Sequence, residues 1–266
     1  TLTENTAKTL GLNPEVKVVA GAGDNAAAAV GTGVVGAGGC NISLGTSGTV
    51  FISSDRFSVD PNNALHAFAH ADGGWHLMGC MLSAASCNKW LCEDILGTSD
   101  YAAEQSPITE EKLGRNHVYF LPYLMGERSP INDTNARGTF VGMTMDTTRS
   151  DLVQAVLEGV AFAIRDSVEV ARSLGIEIPV SKICGGGSRS DLWCRIIANV
   201  LGIPLQRLKT EQGPGYGGAM LAMVGCGRFS TVQAAADALV EVAGEIQPEP
   251  ELTALYEQRY RSFARI

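Results

Sequence analysis

The most constraining feature of this chain is a long amphipathic segment followed closely by a strand and a glycine-rich turn. Apolar residues recur at helical spacing on a broad stripe over 151–175. This pattern predicts a helix with Ser150 as its N-cap and Gly175 as its end. The apolar run 182–184 then leads into the turn 185–188, and helical spacing resumes over 191–201. This strand, turn and helix unit predicts an α/β fold.

Composition narrows the class of protein. The chain has 266 residues, enough for one large domain or two smaller ones, and its 31 glycines fit an α/β protein with tight strand-to-helix turns. The net charge is −8 and the basic residues are scattered, which argues against a nucleic-acid surface. No apolar run reaches the roughly 18 residues of a membrane span, and the first ten residues resemble no signal sequence. We therefore expect a cytoplasmic protein.

Cysteine and histidine spacings favour neither disulfides nor a metal site. The seven cysteines include no CxxC pair and stand in apolar contexts, which is typical of reduced core thiols. His66 and His70 are four residues apart, a spacing that would place both on one face of a helix. The stretch LHAFAH alternates like a strand, however, and no third ligand stands nearby at a recognisable spacing. We therefore predict that these histidines bind no metal.

Shorter elements follow from local patterns. The first ten residues favour a helix, and the apolar run 16–20 favours a strand. Residues 40–44 and 49–53 flank a turn of hairpin length and predict two antiparallel strands. The remaining predictions are strands at 75–78 and 118–121, a helix at 83–96, a loop or irregular helix at 98–116, and a helix at 219–224 opened by 213–218.

The polar, turn-rich segment 126–137 is a candidate functional loop. Within it, Glu127 and Arg128 follow a predicted strand closely. Two interpretations stay open: the two side chains face a cleft, or they form a solvated pair on the loop surface.

A single carboxylate, Asp24, stands between the predicted strand 16–20 and a run of small residues in GAGDNAAAAVG (21–31). An Asp in this position is most often a helix N-cap, because its oxygen accepts the orphan amides of the first turn. A carboxylate after a strand can also be the general base that receives a proton from an attacking hydroxyl in phosphoryl transfer.

Three glycine-rich turns could bind phosphates through converging backbone amides: SLGTSG (43–48), GGGS (185–188) and GPGYGG (213–218). None is followed by the GK[ST] of a Walker loop, and none has the GxGxxG pattern and distant acid of a dinucleotide fold. The remaining arrangement is a nucleotide that lies across a cleft, with a hairpin loop at its phosphates and a second glycine turn beside its base.

With these motifs the chain resembles the carboxyl-terminal part of a carbohydrate kinase of the FGGY family. The family signature, a Gly-x-aromatic-x-Gly-apolar segment followed by a spaced helix, is matched by GTFVGM (138–143) and DLVQAVLEGVAF (151–162). The resemblance is closer to members that act on D-xylulose than to glycerol kinases, in which Gln usually follows the catalytic Asp. It is carried by GAGDNAAAAVG (21–31), SLGTSGTVF (43–51), WHLMGCMLSAASCNKW (75–90) and FLPYLMGERSP (120–130).

The resemblance implies an actin-like, ribonuclease-H-like two-domain fold with ATP, Mg²⁺ and sugar in the cleft between the domains. Asp24 would then be the catalytic base and, with Asn25, would bind the sugar. Ser190 stands where some relatives have Asn. Thr46 would approach the ATP phosphates, and Gly186, Gly187 and Ser190 would flank the adenosine. The implied nucleotide-binding residues are Gly45, Thr46, Gly186, Gly187 and Ser190.

The implied activity is ATP-dependent phosphorylation of a pentulose, D-xylulose to D-xylulose 5-phosphate. Residues 1–36 would be the last piece of an amino-terminal sugar-binding domain, and 37–266 the nucleotide-binding domain. Nothing matches the family's amino-terminal half, which would hold the Mg²⁺ ligands, so we expect a part of a longer protein or a truncation. A kinase for another sugar or polyol, a chaperone or cytoskeletal ATPase, a non-catalytic nucleotide-binding fragment, and a homodimer stay open as alternatives.

Overall fold

The fold is built around a mixed β-sheet, seen in a computed structural model that describes residues 1–210 and 212–266. The strands of this part of the chain are β1 (Cys40–Leu44), β2 (Gly48–Ser54), β3 (His66–Ala69), β4 (Trp75–Met81), β5 (Tyr119–Leu121), β6 (Thr139–Val141), β7 (Ser181–Cys184), β8 (Leu205–Leu208) and β9 (Val242–Ile246). Its helices are α1 (Glu4–Leu10), α2 (Asp24–Gly31), α3 (Ala85–Lys89), α4 (Tyr101–Gln105), α5 (Arg149–Ser173), α6 (Asp191–Leu201), α7 (Gly213–Gly225), α8 (Val232–Leu239) and α9 (Pro250–Phe263). Short 3₁₀ segments span Glu110–Lys112 and Gly186–Arg189, and a π-helical segment spans Trp90–Ile95.

The described strands of the main sheet lie in the order β3-β4-β2-β1-β7-β8-β9, while β5 and β6 pair separately. β1 is parallel to β7 and antiparallel to β2, and β2 is antiparallel to β4. β1, β4 and β7 therefore end at the same edge of the sheet. The segments after them, 45–47, 82–84 and 185–188, meet at this edge, which is where open α/β sheets bind their ligands.

Different helices cover the two faces of this sheet. One face, which carries Ile42 and Val50, packs against α5 and α6 in the main hydrophobic core. On the other face, Phe51 packs against Ala29 of α2, and α2 packs in turn against α7 and α8. Helices on both faces of a mixed sheet confirm the predicted α/β class.

Helix α5 confirms the long predicted helix but begins at a different cap. The Thr148 Oγ1 accepts a hydrogen bond from the Asp151 amide at 3.3 Å, and the Asp151 Oδ2 accepts one from the Thr148 amide at 2.8 Å. This reciprocal capping box needs an acidic or amide side chain three positions after the cap. Ser150 has the apolar Val153 at that position, so Thr148 is the N-cap and the prediction of Ser150 is wrong.

A buried ion pair joins α5 to α9. The Arg259 Nη2 donates to the Glu158 Oε2 at 2.7 Å, and both side chains are almost completely buried. The other Glu158 oxygen accepts hydrogen bonds from Tyr256 at 3.0 Å and Gln154 at 2.8 Å. Removal of either side chain would leave the other as an unpaired buried charge. The pair therefore fixes the register of the two helices.

Two of the local predictions are wrong. The strand predicted at 16–20 has no β-pairing, and Val18 is 67% exposed. A strand needs a hydrogen-bonded neighbour, and no described residue pairs with this segment. The helix predicted at 83–96 is divided between α3 and the π-helical segment. The predicted amino-terminal helix is confirmed as α1, which ends at a left-handed Gly11.

None of the helices described here is both long and apolar enough to cross a membrane.

The glycine-rich stretch 213–218 opens a helix, as predicted, but it packs closely against another helix. A Cβ added at Gly217 would lie 1.8 Å from the Ala27 carbonyl oxygen, and one added at Gly31 would lie 3.0 Å from the Gly217 amide nitrogen. Backbone therefore meets backbone where α2 crosses α7. The close packing of the two helices leaves no room for a side chain at Gly217, the buried glycine of this stretch.

We expect Gly217→Ala to lower the free energy of unfolding by about 2 kcal/mol, because the added methyl overpacks the α2–α7 contact. Gly218→Ala is the matched control, since a Cβ there meets no atom within 4 Å. It should be neutral or stabilise the protein by up to about 1 kcal/mol through helix propensity. Urea denaturation of the two variants measures both values. Equal effects of the two substitutions would contradict the close contact.

Candidate functional site

A cavity of about 890 Å³ opens at the edge where β1 and β7 end. Its wall is formed by the β1–β2 turn, the turn after β7, α3 and α4, so segments distant in the chain meet there. All five residues that the resemblance assigned to nucleotide binding line this one cavity, although their role in binding stays a prediction. They are Gly45, Thr46, Gly186, Gly187 and Ser190.

The β1–β2 turn is held with its carbonyl oxygens directed at the start of α3. The Ala85 amide donates to the Gly45 carbonyl at 2.8 Å, and the Ala84 amide donates to the Thr46 carbonyl at 3.0 Å. The Ser86 hydroxyl also donates to the Thr46 carbonyl, at 2.7 Å. The hydrogen bonds compensate the partial negative charge of these carbonyl oxygens. This arrangement favours an anion beside the turn.

The turn after β7 uses its glycines in two different ways. Gly185 has φ 90°, a conformation that glycine adopts without strain. A Cβ at Gly187 would lie 2.5 Å from the Leu44 Cδ2, so this position is closed by packing. A Cβ at Gly186 would meet no atom within 4 Å. Gly187 therefore brings the turn onto β1, whereas Gly186 leaves room in the cavity.

Ser190 has a structural role in addition to lining the cavity. It is the N-cap of α6, and its Oγ accepts a hydrogen bond from the Trp193 amide at 3.1 Å. The same hydroxyl donates to the Gln105 Oε1 at 2.6 Å and so joins α4 to α6. The hydroxyl proton is therefore already donated to Gln105. One lone pair of the Ser190 oxygen remains to accept a hydrogen bond from a ligand.

The structure also adds cavity-lining residues that the sequence did not suggest. Lys89, Tyr101 and Gln105 line the same cavity. Tyr101 and Gln105 lie in the stretch 98–116, where neither periodicity nor a glycine turn marks a site. Their place follows from the packing of α4 against α5 and from the Ser190–Gln105 hydrogen bond, so no local signal could have identified them.

Asp24 is the first residue of α2 and therefore lies inside the helix, one position after its N-cap. The N-cap is Gly23, and the Asp24 Oδ1 accepts hydrogen bonds from the Asn25 amide at 2.8 Å and the Asn25 Nδ2 at 3.3 Å. The N-cap interpretation is therefore wrong. The carboxylate is exposed and its Oδ2 bonds to none of the described residues. Neither Asp24 nor Asn25 lines the cavity itself.

The loop residues Glu127 and Arg128 do not form a solvated pair, because Glu127 is only 2% exposed. Its Oε1 accepts hydrogen bonds from the Leu82 amide at 2.9 Å and the Arg128 amide at 2.7 Å. Burial raises the pKa of Glu127 above its ordinary value, an effect that the two amides oppose. Arg128 is exposed, and its Nη1 lies 3.7 Å from the Cys80 Sγ.

The two histidines considered as metal ligands lie in different environments. His66 begins β3, whereas His70 is buried beyond its end, with Nε2 2.9 Å from the Val34 carbonyl oxygen. Over residues 1–210 and 212–266 no group of three or more His, Cys, Asp or Glu side chains is arranged to hold a metal ion. None of the seven cysteines forms a disulfide within the part of the chain that the structure describes.

The glycine-lined cavity lies where open α/β sheets bind their ligands, beyond the carboxyl ends of the parallel strands. The chain belongs to the FGGY family of carbohydrate kinases: residues 40–226 match the family's C-terminal domain. The fold is accordingly the actin-like fold of these sugar kinases, which confirms the predicted fold class.

Several xylulose kinases are similar to this chain. The one from Escherichia coli (strain K12) is 38% identical over 259 residues, which cover 94% of this chain and 52% of that protein. The one from Staphylococcus epidermidis is 34% identical over 266 residues, 100% of this chain and 54% of that protein. A crystal structure of a xyloylose kinase from Brucella ovis has a TM-score of 0.90 and 38% identity, covering 99% of this chain and 54% of that one. The chain thus spans about half the length of these relatives.

We expect Gly45→Val to weaken ATP binding at least roughly tenfold, because a branched side chain at the turn obstructs the approach of phosphate to the backbone. A Cβ at Gly45 comes no closer than 3.4 Å to its surroundings, so the fold should tolerate the change. Gly244→Val is the control, since a Cβ there is unobstructed and the residue lies outside the cavity. Calorimetric titration with ATP beside thermal unfolding measures both effects. Unchanged ATP affinity would place the phosphates elsewhere.

Proposed function

We propose that this chain is the nucleotide-binding part of an ATP-dependent kinase that phosphorylates a pentulose, D-xylulose to D-xylulose 5-phosphate. The observation that supports it most is the convergence of the β1–β2 turn and the turn after β7 on one cavity of about 890 Å³. We choose D-xylulose as the substrate because several xylulose kinases are similar to this chain. Such a kinase would work in the cytoplasm, where ATP is available.

In this proposal the β1–β2 turn takes the ATP phosphates and the turn after β7 flanks the adenosine. The Thr46 hydroxyl and the nearby backbone amides are donors suited to phosphate oxygens. Lys89 and Arg189 add positive charge to the cavity wall. The open space at Gly186 suits a flat base, since no side chain fills it.

Asp24 is the proposed general base. The sugar hydroxyl would give its proton to the free Asp24 Oδ2 as its oxygen attacks the γ-phosphorus of ATP. The bond from that phosphorus to the bridging oxygen breaks, and ADP leaves with the electron pair. Asn25 would bind the sugar: its Nδ2 bonds to the Asp24 Oδ1, which leaves its amide oxygen and a second N–H for sugar hydroxyls.

We propose the same domain division as the resemblance implies, 1–36 and 37–266. Residues 24–31 form α2 and pack against α7, so the proposed catalytic Asp24 is carried by a helix seated on the nucleotide-binding part. ATP-dependent kinases use Mg²⁺ with their nucleotide, where it neutralises charge on the phosphates. The described residues include no suitable cluster of metal ligands, so we assign Mg²⁺ to no side chain of this chain.

In the full-length kinase, we expect Asp24→Asn to lower kcat by at least about a hundredfold, since a positioned base typically contributes 10²–10⁴-fold. ATP affinity and melting temperature should stay close to those of the parent, because Asp24 is exposed and an Asn side chain keeps an oxygen that can accept the Asn25 amide. Steady-state kinetics with D-xylulose beside thermal unfolding test this expectation. A variant that keeps most of its kcat would exclude Asp24 as the base.

Asn25→Ala should raise the KM for D-xylulose and leave ATP affinity nearly unchanged, because it removes hydrogen bonds to the sugar and lies outside the cavity. Kinetics with D-xylulose, D-ribulose, L-xylulose and glycerol, measured on parent and variant, give the comparison. Faster turnover of another of these substrates by the parent would revise the sugar and keep the kinase. Equal loss of sugar and ATP affinity in the variant would instead indicate misfolding.

A further inference from the structure

The loop after β5 presents a cation that the proposed reaction has not used. Glu127 anchors this loop: its buried Oε1 holds the amides of Leu82 and Arg128, and its Oε2 has no partner among the described residues. Leu82 directly follows β4, at the edge where β1 also ends. The anchor therefore fixes the backbone of Arg128 beside the ligand-binding edge of the sheet.

The pairing of β2 with β4 shows which face of the sheet Arg128 covers. Thr49 pairs with Cys80, and Phe51 pairs with Met78. Because side chains alternate along a strand, Cys80 shares a face with Phe51. Phe51 packs against α2, the helix that begins with Asp24. The Arg128 Nη1 donates to the Cys80 Sγ at 3.7 Å, so the guanidinium lies on the α2 face of the sheet.

The same pairing relates Arg128 to the strand that follows the β1–β2 turn, although Arg128 itself does not line the cavity. Thr49, the partner of Cys80, is three residues after Thr46. No ion pair of the described residues includes Arg128, although many of the other arginines have a carboxylate partner. Burial raises the pKa of the neighbouring Glu127, and the Arg128 charge opposes this rise. An exposed guanidinium that makes no ion pair still keeps N–H donors for an anion. Its planar set of N–H donors matches the oxygens of a phosphate.

We propose that Arg128 binds the phosphoryl group during its transfer and then holds the phosphate of the sugar product. This inference rests on the proposed function. Arg128 forms no covalent bond: it donates hydrogen bonds to oxygens of the γ-phosphoryl group while the sugar oxygen bonds to phosphorus and ADP departs. The proton still goes to Asp24. Glu127 acts as a positioning residue that holds the Arg128 backbone.

The test uses the full-length kinase and the variants Arg128→Met, Arg128→Lys and Arg137→Met. Arg137 is the matched control: it lies exposed in the same loop, and its Nη1 donates to the nearby carbonyls of Thr134 and Ala136. We expect Arg128→Met to lower kcat about a hundredfold, the usual effect of removing one donor to developing charge. Arg128→Lys should recover part of this loss because it keeps the charge. The control should retain its kcat within about twofold.

Equilibrium binding separates the phosphate role from a role in sugar recognition. In Arg128→Met the affinity for D-xylulose 5-phosphate should fall at least roughly tenfold, with D-xylulose affinity within about twofold of the parent. A rise in the KM for D-xylulose with kcat unchanged would overturn the proposal in favour of a sugar contact. Normal kcat and normal product affinity would also overturn it.

A double-mutant cycle tests the positioning role of Glu127. Glu127→Met removes the oxygen that accepts the Leu82 and Arg128 amides, so it should lower kcat in the parent and have little further effect in Arg128→Met. Glu127→Gln keeps an acceptor oxygen for the two amides and should retain most of kcat. Additive losses would mean that Glu127 stabilises only the fold. Failure of the parent to phosphorylate any pentulose would refute the proposed function, whereas an active parent with a silent Arg128→Met would refute this inference alone.

Discussion

The architecture of the site depends on direct backbone contact between two turns at one edge of the sheet. A Cβ added at Gly185 would lie 2.8 Å from the Leu44 carbonyl carbon, and one at Gly187 would lie inside the Leu44 side chain. Only glycine permits this approach. The cavity exists because the turn after β7 rests directly on the end of β1, with α3 and α4 closing the remaining sides.

The rest of the fold holds this edge in place. Helix α5 packs beneath the sheet and is tied to α9 by the buried Glu158–Arg259 pair. On the other face α2 is seated on α7 through glycine contacts, which presents Asp24 at the exposed start of a helix. Glu127 adds a third constraint by fixing the loop after β5 to the end of β4. Each of these interactions joins segments that are far apart in the chain.

Glycine-rich stretches of similar composition have different roles in this protein. The stretch 185–188 forms the cavity wall, whereas 213–218 includes a buried helix-packing glycine. Their glycine content alone does not distinguish them. Their difference lies in what each backbone meets, Leu44 in one case and Ala27 in the other. The resemblance to sugar kinases assigned 185–188, and not 213–218, to the nucleotide, and Gly186 and Gly187 of that stretch line the cavity.

The sequence by itself determined the elements whose signals are local. The stripe of α5, the β1–β2 hairpin and the unit from β7 to α6 follow from periodicity and turn chemistry within short windows, and the family follows from their motifs. Tertiary structure decided the rest. The Ser190–Gln105 hydrogen bond spans 85 positions, and Glu127 is buried by a contact 45 positions away. The segment 16–20, a strand by pattern, pairs with no strand of the described chain. Hydrogen bonds and burial between distant residues depend on how the elements pack, and no local pattern encodes that.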